Sequence, residues 1–214
     1  MKLSRLVYLA VKNVVYLDNQ GFTYEAFISG AYDDDIDYST SINNVFIPLN
    51  KAIHRLSDRG KLPTYSHELP KQSTGDYDLK NIKNDINEIK NVYYFDPYYG
   101  YERVDFRTVG ADKLVVLKPS NKKLYIEYVK DIPHFDRDSF NYDENGNEVV
   151  DVNLKDYGIT DTMCSYIIEY VKGNLLELID PSLAMVYLNR AEEYMADLRN
   201  YQTYFNQVHI KKVV

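Results

Sequence analysis

The chain has 214 residues, of which 45 % are hydrophobic, and a formal net charge of −7. This length suits one large domain or one domain with an insertion, and the apolar fraction is enough for a packed core. The negative charge argues against a nucleic-acid-binding protein, which normally presents a basic face.

Tyrosine is abundant, with 22 Tyr beside 8 Phe and no Trp. Because Tyr combines an apolar ring with a polar tip, this composition favours half-buried surfaces and protein interfaces. An AT-rich genome would enrich Tyr, Asn, Lys and Ile as well, and it explains the count about equally well. Cys164 is the single cysteine, which excludes an intrachain disulfide and a thiolate metal site. Its apolar helical surroundings predict a buried, inert thiol.

The first seventeen residues are predicted to form an amphipathic helix. The apolar positions fall at helical spacing: Leu3, Leu6, Val7, Ala10, Val11, Val14 and Leu17. A secretory signal peptide has a similar beginning, but Lys12 and Asn13 interrupt the apolar run and no small-residue cleavage site follows. No apolar run in the sequence is long enough to span a membrane.

An acidic cluster follows the aromatic segment GFTYEAFISG and comprises Asp33, Asp34, Asp35 and Asp37. A calcium loop would need alternating ligands, a central Gly and a distant Glu, and the cluster lacks them. Its position just before a helix favours interaction with the helix N-terminal dipole. A metal-dependent enzyme that uses Asp33–Asp37 is the alternative.

The second helix is predicted from about Tyr38 to Arg59. Its apolar stripe follows the i, i+3, i+4 pattern: Ile42, Val45, Phe46, Leu49, Ile53 and Leu56. Pro48 lies inside it and is expected to kink or split it. Gly60 is a suitable C-cap, and Pro63 follows at the usual distance.

Residues 63–85 are predicted to be a long polar loop, with one short helical turn around 79–86. From residue 89 the pattern becomes β-rich, in the runs NVYYF, ERVDFRTV, KLVVLKP and KLYIEYVKDI. These runs predict an antiparallel meander of three or four strands, with Leu124, Ile126 and Tyr128 on one face of the last. Asn145-Gly146 predicts a tight turn in a further hairpin.

Two helices are predicted next. Thr160 or Asp161 would cap the first, which Gly173 weakens locally, and Asp180 with Pro181 would begin the second. The Asp-Pro step makes them an antiparallel pair. The last residues, YFNQVHIKKVV, alternate polar and apolar side chains as a strand does.

The predicted fold is therefore α+β in a single domain, 1–214. Residues 1–62 and 158–202 would form a helical bundle, and residues 89–152 an inserted antiparallel β-meander. Residues 203–214 would be an extended C-terminal tail.

Motifs for catalysis are missing from the sequence. It has no Gly-rich phosphate loop with a Lys and no nucleophile elbow, and its histidines (54, 67, 134 and 209) are not at ligand spacings. We therefore predict no enzyme, no catalytic residue, no metal site and no cofactor. The tyrosine-rich segment 93–101 leaves a second alternative, a module that binds a glycan or a host protein.

The order of elements resembles the head–tail adaptor, or connector, proteins of tailed bacteriophages. The resemblance rests on SINNVFIPLNKAIHRLSDRGKLP, on a β-region ending in KLYIEYVKDIPHF, and on the two helices in ITDTMCSYIIEYVKGNLLELIDPSLAMVYLNRAEEYMADL. The phrase NKAIHRL followed by GKLP is similar to podovirus tail tubular proteins of type A. The Tyr, Asn and Lys content is similar to that of ring proteins of crAss-like phages.

This resemblance implies a structural virion protein that is assembled in the host cytoplasm. It implies a homo-oligomeric ring, usually twelve-fold, that docks on the portal protein and contacts other neck or tail proteins. DNA would pass through the ring without specific binding, and no membrane is involved. The interface residues predicted on this basis are Leu62, Pro63, Tyr65, Tyr98, Tyr99, Tyr204, Phe205, Val208 and Ile210, the last four adding as a strand to a partner, with the portal expected in that role.

Overall fold

The computed structural model describes residues 1–12, 14, 22–32, 36–82, 85–110, 112–143 and 146–198, and for residues 36–38 and 41 only the backbone. The described chain forms two compact units. The helical unit comprises Met1–Lys61 and Pro133–Arg199, and the β unit comprises Leu62–Ile132. The prediction has one domain with a β insertion at 89–152, whereas the β unit begins at Leu62 and the chain re-enters the helical unit at Pro133.

The fold is mixed α+β with antiparallel sheets, as predicted at that level. The helices are α1 (Leu3–Val11), α2 (Tyr24–Ile28), α3 (Ile36–Asp58), α4 (Asp161–Leu176) and α5 (Pro181–Asp197). The strands are β1 (Thr64–Leu69), β2 (Asp76–Asp78), β3 (Ile86–Asp96), β4 (Gly100–Arg103), β5 (Phe106–Val109), β6 (Lys113–Val116), β7 (Lys123–Lys130), β8 (Phe140–Tyr142) and β9 (Glu148–Asp151). No helix within the described ranges has the length and apolar character needed to cross a membrane.

The N-terminal segment forms α1, and the described members of its predicted apolar stripe are all buried. Leu17 lies outside the described residues. The start of α1 pairs with a segment far along the chain: the N–H of Leu3 donates to the carbonyl of Val152 at 2.9 Å, and Lys2 bridges to Asn153. The core of the helical unit therefore includes residues from both parts of the sequence that compose it.

Helix α3 is one continuous helix of 23 residues that runs through Pro48. Pro48 removes one backbone hydrogen bond, and the burial of Leu49 and Ala52 in the same turn offsets that loss. The helix ends as predicted at Gly60, which has a φ of 63°. The N–H of Gly60 donates to the carbonyl of Ser57 and that of Lys61 to the carbonyl of Leu56, a Schellman motif.

Helices α4 and α5 begin at the predicted caps. Thr160 accepts a hydrogen bond from the N–H of Met163, and Asp180 accepts one at 3.0 Å from the N–H of Leu183. Gly173 has a role that the sequence analysis missed. A Cβ atom there would lie 2.6 Å from Cγ of Leu188 on α5, so the glycine permits the close approach of the two helices.

The β unit contains two antiparallel sheets, with strand orders β1-β7-β3-β4 and β2-β6-β5. The prediction of one meander is wrong, because β7 lies between β1 and β3. The prediction of a polar loop over residues 63–85 is also wrong, since β1 and β2 occupy much of it. The partner of β1 is distant in sequence (Thr64 pairs with Val129), so the short polar run TYSHEL gave little local signal.

Alternation along β7 is as predicted, since Leu124, Ile126 and Tyr128 all belong to the core of the β unit. In the helical unit, β8 and β9 form the predicted hairpin, but its loop is longer than a two-residue turn. The N–H of Asp143 donates to the carbonyl of Asn147 at 2.9 Å, and Gly146 has a φ of 78°.

Candidate functional site

Among the residues that the structure describes, the most exposed aromatic side chains lie at the tip of the β3–β4 hairpin. Tyr98 is 90 % exposed and Tyr99 is 82 % exposed. Both were predicted as interface residues. Large aromatic rings that remain outside any core are the side chains that protein interfaces use most.

The backbone of this tip is held in place by Asp96. One carboxylate oxygen accepts hydrogen bonds from the N–H groups of Tyr98 at 2.9 Å and Tyr99 at 3.2 Å. The other oxygen lies 3.1 Å from Nζ of Lys122. The hydrogen bond from Tyr98, followed by the Lys122 ammonium, holds the pKa of Asp96 below its ordinary value. The backbone of the turn is therefore fixed by its own aspartate in the ionised form, and both rings project from it.

An aromatic face lies next to this tip on the sheet surface opposite the core, and it consists of Tyr93, Phe95, Tyr101 and Tyr125. Strand register brings them together, because Tyr93 pairs with Tyr125 and Phe95 with Tyr101. The ring centroids of Phe95 and Tyr101 are 5.1 Å apart, and those of Tyr101 and Tyr125 are 5.6 Å apart. These are ordinary distances for favourable aromatic contacts.

The carboxylates of Glu68 and Glu127 accept hydrogen bonds from polar side chains at this face. Glu68 accepts a 2.6 Å hydrogen bond from the phenol of Tyr125, which raises the pKa of Tyr125 to about 12. Glu127 accepts a 2.7 Å hydrogen bond from Nδ2 of Asn91. The two carboxylates thus hold polar side chains within the sheet, and ring surfaces make up the face.

The remaining predicted interface residues differ in exposure. Leu62 is 2 % exposed, so its side chain is removed from any surface. Tyr65 is half-buried on the core side of the sheet, 6.1 Å from the ring of Tyr128, and burial raises the pKa of its phenol. Pro63 is also half-buried. The predicted tail residues lie outside the described part of the chain: Tyr204, Phe205, Val208 and Ile210.

A second exposed apolar surface, which the sequence analysis did not identify, lies in the helical unit. Leu178 and Ile179, in the α4–α5 connection, are 97 % and 54 % exposed. Leu183, Val186 and Tyr194 on α5 are also exposed. Positions 183, 186 and 194 fall on one side of a helix with 3.6 residues per turn. These five residues are called the α5 flank below.

A buried polar network joins α1 to the β8–β9 hairpin. The carboxylate of Asp151 accepts 2.6 Å hydrogen bonds from the hydroxyls of Ser4 and Tyr142, and a third bond from the N–H of Ser4. Burial, followed by the bond to Asp151, raises the pKa of the Tyr142 phenol well above its ordinary range. The network fastens α1 to the β8–β9 hairpin through Ser4 and Asp151, which are 147 residues apart in sequence.

The sequence was also searched for metal ligands and for a reactive cysteine. No group of three metal-ligating side chains occurs among the residues that the structure describes. Asp33, Asp34 and Asp35, and the side chain of Asp37, lie outside that part of the chain. Cys164 is fully buried as predicted, and burial raises the pKa of its thiol to about 11, which makes it unreactive.

Comparison of the sequence with models of known protein families finds no matching family, and no curated protein matches it either.

Proposed function

We propose that the chain is a structural subunit of a bacteriophage head-to-tail connector ring, which docks on the portal and links it to the tail. The observation that carries the proposal is the hairpin tip, where Tyr98 and Tyr99 project from a turn that Asp96 holds in place. Preorganised, exposed aromatic residues give affinity because little conformational freedom is lost on binding.

Charge and the second apolar surface also support an assembly role. A ring in which each subunit contacts the next head-to-tail needs two different complementary surfaces. The α5 flank offers one such surface in the helical unit, and the hairpin tip of the β unit is assigned to the portal. A net charge of −7 per subunit, repeated around a ring, would produce a field that repels DNA phosphates and suits passage without binding.

Native mass spectrometry of the chain with its candidate portal tests this proposal. We expect the chain alone to be a monomer and the mixture to contain a closed ring of the chain on the portal. Failure of the chain to associate with the portal would contradict the connector function.

The hairpin tip is tested by the double variant Tyr98→Ser/Tyr99→Ser. Both side chains are exposed, so we expect the free energy of unfolding to change by less than about 0.5 kcal/mol. Portal affinity should fall about 30-fold, the effect of losing a hot spot worth about 2 kcal/mol. Val109→Ser is the matched control, because Val109 is 49 % exposed in the same unit. Equal portal affinity in the double variant and the control would show that the tip is not the interface.

The aromatic face supports a second candidate, a module that binds a glycan or a host protein. This candidate predicts a stable monomer that binds a soluble ligand without the portal. Tyr101→Ala, which removes a ring that is 47 % exposed, should abolish such binding in a glycan-binding screen. Binding that survives this substitution would exclude the aromatic face.

A further inference from the structure

Three rings of the aromatic face stand nearly at right angles around one point of the sheet surface. Tyr93 and Tyr125 are opposite each other in the strand register. The ring of Tyr101 is close to perpendicular to both, at interplanar angles of 79° and 80°, and its centroid lies 6.3 Å and 5.6 Å from theirs. Because β3 lies between β4 and β7, the rings of Tyr101 and Tyr125 meet above β3. Phe95 lies beside them, 5.1 Å from Tyr101.

Perpendicular rings at these distances are suited to hold a cation. A cation about 4.5 Å above two perpendicular rings lies within the roughly 6 Å over which cation–π attraction acts, and the two centroids are then about 6.4 Å apart. The 6.3 Å between Tyr93 and Tyr101 agrees with this value. We propose that Tyr93, Tyr101 and Tyr125 form an aromatic cage for the trimethylammonium group of a small choline-type molecule.

Negative charge beside the cage favours such a ligand. The carboxylate of Glu127 lies 3.5 Å from the phenol oxygen of Tyr93. Hydrogen bonds from Asn91 at 2.7 Å and from Thr64 at 3.3 Å hold that carboxylate in place. The net charge of −7 attracts cations at longer range. A trimethylammonium group has no N–H to donate, so ring faces and a nearby carboxylate supply the interactions that it can make.

The basic residues of this sheet surface differ in their partners. Lys123 lies 2.8 Å from the carboxylate of Glu68, which also accepts the hydrogen bond from the phenol of Tyr125. Glu68 therefore compensates the charge of Lys123 and fixes one wall of the cage. Arg103 is opposite Tyr93 in the register and is exposed. Its positive charge opposes a cationic ligand and would favour an anionic one, so the effect of removing it reports the sign of the ligand charge.

This proposal does not depend on a connector function. It assigns the aromatic face a ligand of a different class from a glycan or a host protein. Binding is measured on the chain without the portal, so portal docking and ligand binding can fail independently.

Isothermal titration calorimetry of the full chain with choline chloride tests the cage. The matched probe is 3,3-dimethylbutan-1-ol, which has the shape of choline without its charge. We expect choline to bind about tenfold more tightly than this alcohol, because only choline gains the cation–π attraction. Equal affinities, or no binding of choline, would overturn the proposal. Tighter binding of a trimethyllysine peptide than of choline would overturn the assignment to a small choline-type ligand.

Substitutions locate the binding and identify the charge of the ligand. Tyr101→Leu should lower choline affinity about tenfold, whereas Tyr101→Phe keeps the ring and should keep the affinity. Tyr99→Leu is the control, because Tyr99 is exposed in the same unit and lies outside the cage. Arg103→Gln should raise choline affinity about threefold, since it removes a like charge. A loss of affinity in Arg103→Gln, or equal affinity in the two leucine variants, would overturn the cage; circular dichroism shows that each variant is folded.

Discussion

Replacing Gly173 by alanine tests how closely α4 and α5 pack. The Cβ of alanine would lie 2.6 Å from Cγ of Leu188, 2.7 Å from its Cδ2 and 3.2 Å from the carbonyl oxygen of Ala184. The first two distances are shorter than the non-bonded contacts that Cβ atoms make in real structures. Moving only the end of the Leu188 side chain does not relieve them, because the contact includes Cγ and a backbone oxygen lies close behind.

Two opposing effects set the size of the change. Alanine is a better helix former than glycine by about 1 kcal/mol. Inserting a methyl group into a packed contact costs about 1–3 kcal/mol. The overpacking is the larger effect, so we expect Gly173→Ala to lower the free energy of unfolding by about 1 kcal/mol.

Denaturant unfolding followed by far-ultraviolet circular dichroism measures this change in the helical unit. Asn189→Ala is the matched control, because Asn189 is exposed on α5 and its replacement tests helix propensity without a contact. In a Leu188→Ala background the only close contact left is the one at 3.2 Å with the carbonyl oxygen of Ala184. Gly173→Ala should then stabilise the fold by up to about 1 kcal/mol. If Gly173→Ala stabilises the unchanged chain by that amount, the close approach of α4 and α5 is refuted.

Two further predictions concern polar contacts in the helical unit. The carboxylate of Glu192 lies 2.6 Å from Arg55 and 3.0 Å from Arg59 and is half-exposed, so Glu192→Gln should lower the free energy of unfolding by about 0.5–1 kcal/mol in chemical denaturation. The pKa of Tyr142 is raised by burial and by Asp151, so the folded chain keeps this proton after the unfolded chain has lost it. Stability should therefore fall as the pH rises above about 10, the ordinary tyrosine value, and Tyr142→Phe should make that fall shallower.

Each of these has a matched control. Glu193→Gln changes an exposed neighbour on α5 and should have little effect; a loss equal to that of Glu192→Gln would mean that the arginine contacts contribute nothing. Tyr99→Phe removes an exposed phenol and should leave the alkaline fall unchanged. If the two Phe variants behave alike above pH 10, the Tyr142 phenol is not the group that couples to folding.

Helix boundaries were predictable from the sequence because their signals are local. Gly60, Thr160 and Asp180 act through backbone groups within a few residues, and each caps the helix that it was predicted to cap. Strand β1 was not predictable in this way. Its pairing partner, β7, lies about sixty residues later, and the side chains of TYSHEL are too polar to indicate a strand by themselves.

In the candidate site, too, the features that depend on local sequence were predictable and the others were not. Tyr98 and Tyr99 are flanked by turn residues, so their exposure follows from local sequence. The α5 flank was not predicted, because the local sequence does not show which apolar side chains of a helix remain exposed after folding. The hydrogen bond between Ser4 and Asp151 was not predicted, because the two residues are 147 positions apart and neither local sequence indicates the contact.

The pairing of Leu3 with Val152 has a consequence for biosynthesis. Residues 1–12 are synthesised about 150 residues before the segment with which Leu3 pairs, which at 5–20 residues per second is a delay of about 8–30 s. The β unit is continuous from Leu62 to Ile132, so it can complete its sheets during that interval. We therefore expect the β unit to complete its fold on the nascent chain before Leu3 can pair with Val152, so that the helical unit is the last to close.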